Sequence, residues 1–277
     1  MRERTVQFGE AGALSGVVTE PEPQHARKAA PAVILSNVGM HTRIGPFRMW
    51  VTLARELAAR GFLVLRFDQS GFGDSETQSS TLSDIQRAGQ ELRAATDLLV
   101  DRRSANGVVL IGFCSGVDGA HVAAGQDERV RGVIHLDGYA YPTRGHWLRF
   151  WTTRLLRSDT WTKAVSRRYE RLRGLATKAP PRGRAVFDRE YPPRAELAAD
   201  LRKQVARGVR LLFVWSGARE HEFNHVEQFY EMLETPDLRG EVQVELLSQS
   251  DHLFSSLENR AVLFDLLLRW FAESFSG

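Results

Sequence analysis

The sequence predicts an α/β protein whose central sheet is mostly parallel and carries helices on both faces. Short apolar runs of strand length, such as 32–36 and 108–111, are continuous rather than alternating, which is typical of strands buried on both faces. Segments with helical spacing alternate with these runs, and that alternation favours parallel strands joined by helices. The 277 residues are 43% hydrophobic and 26% charged, which is ordinary for a globular protein.

Eight strands are predicted along the chain. The first two form a hairpin whose turn contains Gly9 and Gly12, and a proline-rich loop over 21–31 follows it. The other six are short apolar runs between turns or helical segments. The predicted strands cover residues 5–8, 14–19, 32–36, 62–67, 108–111, 130–136, 210–215 and 242–246.

Three amphipathic helices are predicted from the spacing of apolar residues. The first covers 47–60, where the apolar residues share one face, and Gly61 ends it. The second covers 83–101, and the third closes the chain over 260–271. A further helix, rich in small residues, is expected directly after the strand 108–111.

Residues 139–207 interrupt the alternation of strands and helices. We interpret them as a helical cap inserted into a core that consists of 1–138 and 208–277. Within 141–200, 14 Lys and Arg stand against 6 Asp and Glu, a net of +8, whereas the whole chain carries +3. Such an asymmetry is informative about binding partners rather than about the fold.

The aromatic residues of this segment, Trp147 and Trp151 among them, are candidates to line a substrate pocket. Its basic surface could attract phosphopantetheine on CoA, an acidic carrier protein or an anionic glycan. The alternative interpretation is that the aromatic side chains pack the cap onto the sheet and the arginines are solvated.

Several functional classes are disfavoured. The sequence has one cysteine, so no disulfide framework can form. It has no apolar signal segment at its start and no run long enough for a bilayer, and we expect a cytoplasmic protein. No residue spacing predicts a metal site, and no glycine-rich motif predicts a nucleotide cofactor. We therefore expect no cofactor, and a single basic run is weak support for nucleic-acid binding.

Residues 112–116, Gly-Phe-Cys-Ser-Gly, lie between a buried strand and a small-residue helix. This is the Gly-x-nucleophile-x-Gly pattern of a sharp strand-to-helix elbow. The positions two before and two after the nucleophile crowd one another, and glycine relieves that crowding. If the pattern is centred on Cys114, glycine occupies both of these positions. If it is centred on Ser115, phenylalanine and valine occupy them. Cys114 is therefore the predicted nucleophile, with Ser115 or a buried structural cysteine as alternatives.

Two further motifs follow predicted strands. Residues 37–46 read Asn-Val-Gly-Met-His-Thr-Arg-Ile-Gly-Pro, and 68–75 read Asp-Gln-Ser-Gly-Phe-Gly-Asp-Ser. With the elbow, they make the sequence resemble the α/β-hydrolase superfamily, in the branch near the serine aminopeptidase-like hydrolases and those associated with exosortase loci. The likeness spans the sheet-forming parts and not the cap. Cysteine stands where most of the superfamily has serine, as it also does in dienelactone hydrolases and polyhydroxyalkanoate synthases.

The resemblance implies a catalytic triad in the chain order nucleophile, acid, histidine. It places His252, six residues after the last predicted strand, as the base. Glu220 is our choice of acid, because Ser-Gly-Ala-Arg-Glu resembles the family's Gly-x-x-Asp turn. Glu222 is an alternative, and so is Asp137, since some members take the acid from the end of the preceding strand.

The resemblance also implies an oxyanion hole made by two backbone N–H groups. One is expected from Ser115, and the second from Val38, Gly39 or Met40. Gly39 would permit close approach of substrate or is simply a turn glycine. Arg43 is a candidate to bind an anionic substrate group, with a solvated charge as the alternative. The 68–75 turn is expected to be scaffolding.

A cysteine at the elbow predicts an acyl hydrolase, acting on a small-molecule thioester or activated ester through an acyl-cysteine intermediate. A thioester acyl-enzyme reacts more readily with amines and thiols than an oxygen ester does. Transfer of the acyl group to an amine, alcohol or thiol is therefore the alternative reaction. A catalytically silent fold that serves as a binding module is the alternative outside enzymes.

Overall fold

A computed structural model describes residues 1–27, 29–37, 39–77, 81–156 and 191–275. Eight strands form one sheet in these ranges, and the last six run parallel to one another. The strands are β1 (Arg2–Phe8), β2 (Leu14–Glu20), β3 (Ala32–Leu35), β4 (Val64–Phe67), β5 (Val108–Phe113), β6 (Val130–Leu136), β7 (Arg210–Ser216) and β8 (Val242–Leu247).

The spatial order of the sheet is β1-β2-β4-β3-β5-β6-β7-β8. β1 pairs antiparallel with β2, and β2 pairs antiparallel with β4. The predicted hairpin and the predicted mostly parallel sheet are therefore both confirmed. The central position of β5 matters for function, because the polypeptide after its carboxyl end is surrounded by the ends of its neighbours.

The described helices are α1 (Met49–Ala59), α2 (Asp84–Val100), α3 (Gly116–Gln126), α4 (Arg144–Leu156), α5 (Arg194–Ala206), α6 (Gln228–Leu233) and α7 (Leu257–Ser274). A capping box begins α2, in which Ser83 accepts from the N–H of Gln86 and the Gln86 side chain accepts from Ser83 N–H. The closing helix starts one turn earlier than predicted, because the Ser256 hydroxyl accepts from the N–H of Asn259, at 3.0 Å, and caps it.

Two apolar layers cover the sheet. On one face, buried residues of α1 and α7 pack against alternate strand residues such as Val33 and Leu35. On the other face, Ile34 and its neighbours pack against buried residues of α2, α3, α5 and α6. This double coverage is why the strand sequences read as continuous apolar runs.

The inserted segment joins two neighbouring strands, because β6 and β7 pair directly. Within it, residues 157–190 lie outside the described part of the chain. The buried Leu197 and Leu201 of α5 belong to the same apolar layer as α3. The division into a core and a cap over 139–207 stays a prediction.

Candidate active site

The elbow after β5 has the geometry that its glycines predict. Cys114 adopts a left-handed backbone conformation, with φ of 53°, and its N–H donates to the carbonyl of Leu136 at 2.9 Å. A Cβ atom added to Gly112 would lie 2.7 Å from the carbonyl oxygen of Gly116. Ser115 has an ordinary helical conformation at the start of α3. The apex residue of the turn is therefore Cys114, whose side chain is partly exposed.

His252 reaches the elbow from the loop between β8 and α7. Its Nδ1–H donates to Oδ2 of Asp137 over 2.7 Å, and its ring is also hydrogen-bonded to the Cys114 side chain. The His252 ring packs beside Phe113, with centroids 5.3 Å apart. Three segments distant in sequence thus bring a thiol, an imidazole and a carboxylate into one chain of contacts.

The charge on His252 is stabilised by both neighbours. The hydrogen bond to Asp137, and next the hydrogen bond to Cys114, raise its pKa to about 9, against an opposing effect of burial. The imidazole therefore keeps its proton at neutral pH. A protonated histidine cannot deprotonate a serine, but it stabilises a neighbouring thiolate, which is the reactive form of cysteine.

The carboxylate that contacts His252 is that of Asp137, which was an alternative to the predicted Glu220. Glu220 is exposed, and His252 contacts Asp137 instead, which follows β6 and is fully buried. Asp137 accepts two further hydrogen bonds from Ser216, one from its N–H at 2.6 Å and one from its hydroxyl at 2.7 Å. Glu222, the other alternative, is paired with Arg219. The physical reason is that β7 ends in Ser216, and the turn after it carries Glu220 to the surface.

The structure describes three of the four residues predicted to supply oxyanion donors, namely Gly39, Met40 and Ser115. Val38 lies outside the described residues, and the Met40 side chain is 70% exposed. The N–H of Gly39 donates to the Ser115 hydroxyl at 3.0 Å, so in this conformation it is not directed at a substrate oxygen. Ser115 begins α3, where backbone N–H groups are available for an oxyanion.

Asn37 is a positioning residue that the sequence reasoning missed. Its side-chain oxygen accepts from the N–H of Gln69 at 2.9 Å, and its amide donates to the carbonyl of His41 at 2.7 Å. The residue is buried, so these two bonds satisfy it while they hold the loop after β3 against the loop after β4. Its place at the end of an apolar strand is the sequence signal that points to it.

Arg43 is not a free cation for substrate. Its guanidinium pairs with Asp68 and Asp74, and its backbone N–H donates to Oδ1 of Asp68 at 2.6 Å. Asp68 is completely buried, and a Cβ atom on Gly73 would lie 2.2 Å from its Oδ2. The aspartate and the second glycine of the 68–75 motif therefore form a tight turn to which Arg43 is bonded, and a role of Arg43 in binding an anionic substrate group stays a prediction.

Trp147 and Trp151 lie on α4 with side chains 47% and 56% exposed. Each contacts Phe150 edge-on, with ring centroids 5.8 Å and 5.6 Å away. A pocket of about 240 Å³ along this helix is lined by Phe150 and arginines rather than by either tryptophan. Because α4 runs into the undescribed 157–190 segment, a role of the two tryptophans in substrate binding stays a prediction.

The part of the chain that the structure describes contains no group of three or more His, Cys, Asp or Glu side chains arranged to hold a metal ion. None of its helices combines the length and the hydropathy that a membrane span requires.

The mostly parallel eight-stranded sheet with helices on both faces is an α/β-hydrolase fold. A sequence profile of the Alpha/beta hydrolase family matches residues 41–266, and the chain belongs to this family. No curated protein matches the sequence significantly.

Solved structures similar to this chain share its fold at low sequence identity. They include an α/β serine hydrolase without a lid from Xanthomonas campestris, with 18% identity and a TM-score of 0.59 over 99% of this chain and 96% of that one. The esterase domain of a Rhodothermus marinus protein has 21% identity and a TM-score of 0.59, with complete coverage of both chains. An esterase from Pyrococcus furiosus has 15% identity and a TM-score of 0.60, over 100% of this chain and 91% of that one.

Proposed function

We propose that this protein is a cysteine-dependent acyl hydrolase that cleaves a small-molecule thioester or activated ester through an acyl-Cys114 intermediate. The observation that carries the proposal is the thiol at the apex of the elbow in contact with an imidazole whose pKa is raised to about 9. That pairing favours a thiolate and an imidazolium in the resting protein, ready for attack and for protonation of a leaving group.

The reaction follows from these positions. The Cys114 thiolate attacks the acyl carbon, and the carbonyl electrons move onto the oxygen. As the tetrahedral intermediate collapses, the bond to the leaving thiolate or alkoxide breaks, and His252 gives that group its proton. His252, now neutral, takes a proton from water, and the resulting hydroxide attacks the acyl-cysteine. Collapse releases the carboxylic acid and restores the thiolate and the imidazolium.

Asp137 acts through His252. Its bond to Nδ1–H fixes the ring with the other nitrogen toward Cys114, and its negative charge stabilises the imidazolium. The two donors from Ser216 hold the carboxylate in place. The oxyanion would be held by the N–H of Ser115 with one from the 38–40 loop, and each such donor commonly contributes about 3 kcal/mol. Use of the Gly39 N–H requires release of its bond to Ser115.

The branch of the family to which we assign the protein is supported by sequence similarity. Similarity of the elbow and of the 37–46 and 68–75 motifs to serine aminopeptidase-like and exosortase-associated hydrolases supports a place near those branches. The basic character of 141–200 supports an acyl group carried on an anionic handle, such as CoA or a carrier protein.

The test is direct detection of the intermediate. The protein is incubated with short and long acyl thioesters, and intact mass spectrometry follows acylation while free thiol release is measured. We expect one acyl group on Cys114 and turnover that Cys114→Ala abolishes. The matched control is Ser115→Ala, which removes the neighbouring hydroxyl and leaves the thiol. Turnover that persists in Cys114→Ala and is lost in Ser115→Ala would overturn the proposal.

A further inference from the structure

His252 is carried by a short turn, 251–255, between β8 and α7. Hydrogen bonds within the turn fix its shape. The Asp251 carboxylate accepts the N–H of Leu253 and the N–H of Ser255, each over 2.9 Å. Such internal bonds do not determine where the turn lies relative to the elbow. The position of the imidazole therefore depends also on how the turn is attached to other segments of the chain.

Arg260, near the start of α7, attaches this turn to a second segment. One terminal nitrogen of its guanidinium donates to the carbonyl of Ser255 at 3.1 Å, and the other donates to the carbonyl of Phe47 at 2.8 Å. The guanidinium carbon also lies 5.5 Å from the centre of the Phe47 ring. Phe47 is 213 residues away from Arg260 in the sequence, so this bridge forms only in the folded chain.

Charge pairing does not explain why an arginine occupies position 260. Both acceptors of its hydrogen bonds are neutral carbonyl oxygens, and a cation near the amino end of a helix is disfavoured by the helix dipole. The guanidinium offers a particular shape, because its two terminal nitrogens lie in one rigid plane and donate to two separate acceptors at once. Lysine would carry the same charge on a single nitrogen.

The segment that contains Phe47 is in turn packed against the elbow. Trp50, three residues later, is fully buried, and its ring packs edge-on against Phe113 with centroids 6.3 Å apart. Phe113 directly precedes Cys114 in the sequence, and it also contacts the imidazole of the candidate active site. Arg260 therefore connects the turn that carries the imidazole with the packing that surrounds the thiol.

We propose that Arg260 is a positioning residue that holds the His252 imidazole within hydrogen-bond reach of Cys114. The inference deepens the proposed function and rests on it, because the position of the imidazole matters only if the thiolate–imidazolium pair does the chemistry. Arg260 acts through the Ser255 carbonyl and the turn behind it. Without the bridge the turn is held less tightly, and the thiol and the imidazole are in contact for a smaller fraction of the time.

The experiment compares two substitutions of the same side chain. Arg260→Met keeps an apolar stem and removes both donors, whereas Arg260→Lys keeps the charge on one nitrogen. The matched control is Arg269→Met, which removes an exposed arginine of the same helix.

Two quantities are measured for each protein. The first is the thiolate fraction of Cys114 at about pH 7, from its ultraviolet absorbance, with Cys114→Ala as the blank because the chain has a single cysteine. The second is kcat and KM on acyl thioesters of N-acetylcysteamine. These substrates are uncharged, so a change in kinetics does not arise from attraction between substrate and arginine.

We expect Arg260→Met to lower kcat by about tenfold and to leave KM within about twofold, because a loosely held catalytic group impairs turnover rather than binding. The thiolate fraction should fall to about half the wild-type value or less. Arg260→Lys should lie within about threefold of Arg260→Met in kcat, and Arg269→Met within about twofold of the wild type. Lower stability alone would not change the thiolate fraction of the folded protein. If Arg260→Met does not fold, Arg260→Lys provides the same comparison.

The outcomes distinguish the two proposals. A thiolate fraction and a kcat near wild type in Arg260→Met overturn the positioning role alone. Wild-type values in Arg260→Lys overturn it as well, because the charge would then be sufficient. A wild-type Cys114 that is fully protonated at about pH 7 contradicts the proposed function itself, before any variant of Arg260 is compared.

Discussion

The turns that follow β6 and β7 both offer a carboxylate at the same edge of the sheet, but they place it at different depths. Asp137 comes directly after β6, is 1% exposed and receives three hydrogen bonds. Glu220 comes four residues after β7 and is exposed. Only the first can hold a charge close to His252 out of water, where an ion pair is strongest. Depth, rather than the motif around the acid, decides which carboxylate orients the histidine.

The largest expected effect of this difference is on turnover. Asp137→Asn should lower kcat on an acyl thioester by about 10²–10⁴-fold, because the amide carries no charge and has one accepting oxygen in place of two. Glu220→Gln, at the rival position, should change kcat by less than about twofold. Steady-state kinetics of both variants measures the difference. A large loss in Glu220→Gln with Asp137→Asn near wild type would reverse the assignment.

The pH dependence of kcat/KM sharpens the same comparison. The pKa of His252 lies above its ordinary value, at about 9, so the imidazolium is present below that pH and is lost as the pH rises through it. The alkaline limb of the profile should therefore lie near 9 in the wild type. In Asp137→Asn the principal cause of the shift is gone, and the limb should move down by about one unit or more. An unchanged limb would mean that another group controls it.

A third carboxylate extends the comparison to stability. Glu91 is buried like Asp137 but has one donor on a single oxygen, and its pKa of about 7 is raised above the ordinary 4.5. The folded state therefore binds this proton more tightly than the unfolded state, and stability falls as the pH rises from 4.5 to 7. Glu91→Gln should stabilise the protein by ~1–3 kcal/mol at about pH 8 and by little at about pH 4.

Urea unfolding at the two pH values measures this difference. Asp137→Asn, in contrast, should destabilise the protein at both, because it disturbs a carboxylate whose bonds are all made. If Glu91→Gln lowers stability at the higher pH, the carboxylate is not strained by burial, and its unused oxygen needs another explanation.

The smallest effect is expected for Ser216, the last residue of β7, just before the turn that carries Glu220. Ser216 donates to Asp137 through its hydroxyl, and Ser216→Ala removes that bond while it leaves the N–H bond and the bond from His252. We expect a loss in kcat of about three- to tenfold, because one hydrogen bond to the carboxylate is lost while its other two remain. Thr at this position should retain most activity. A loss as large as that of Asp137→Asn would show that Ser216 has more than a positioning role.

The sequence was most informative where local chemistry decides the structure. The continuous apolar runs predicted the sheet, because both of its faces are buried. The spacing of Gly112 and Gly116 predicted the elbow, because the crowding is between residues of one turn. His252 was placed by resemblance, and the structure brings its side chain to Cys114.

What the sequence could not supply was pairing between distant residues. Nothing in the sequence indicates that Arg43 pairs with Asp68, because Asp68 lies 25 residues later and contacts it only in the folded chain. Asp137 and Glu220 both follow strands, and the residues next to them in the sequence do not predict which of the two turns is buried. The sequence predicts Glu91 to be one of the exposed charges of an amphipathic helix. It is buried because α2 packs beside the elbow.

The central claim is that His252, held by Asp137, ionises Cys114. The most direct measurement is the rate of iodoacetamide alkylation of Cys114 across pH, in the wild type and in His252→Ala. We expect fast alkylation well below about pH 8 in the wild type, because the thiolate is already paired with an imidazolium. In His252→Ala, reactivity should appear only as the pH approaches the ordinary thiol value of about 8.5. Equal rates in the two proteins at about pH 6 would contradict it.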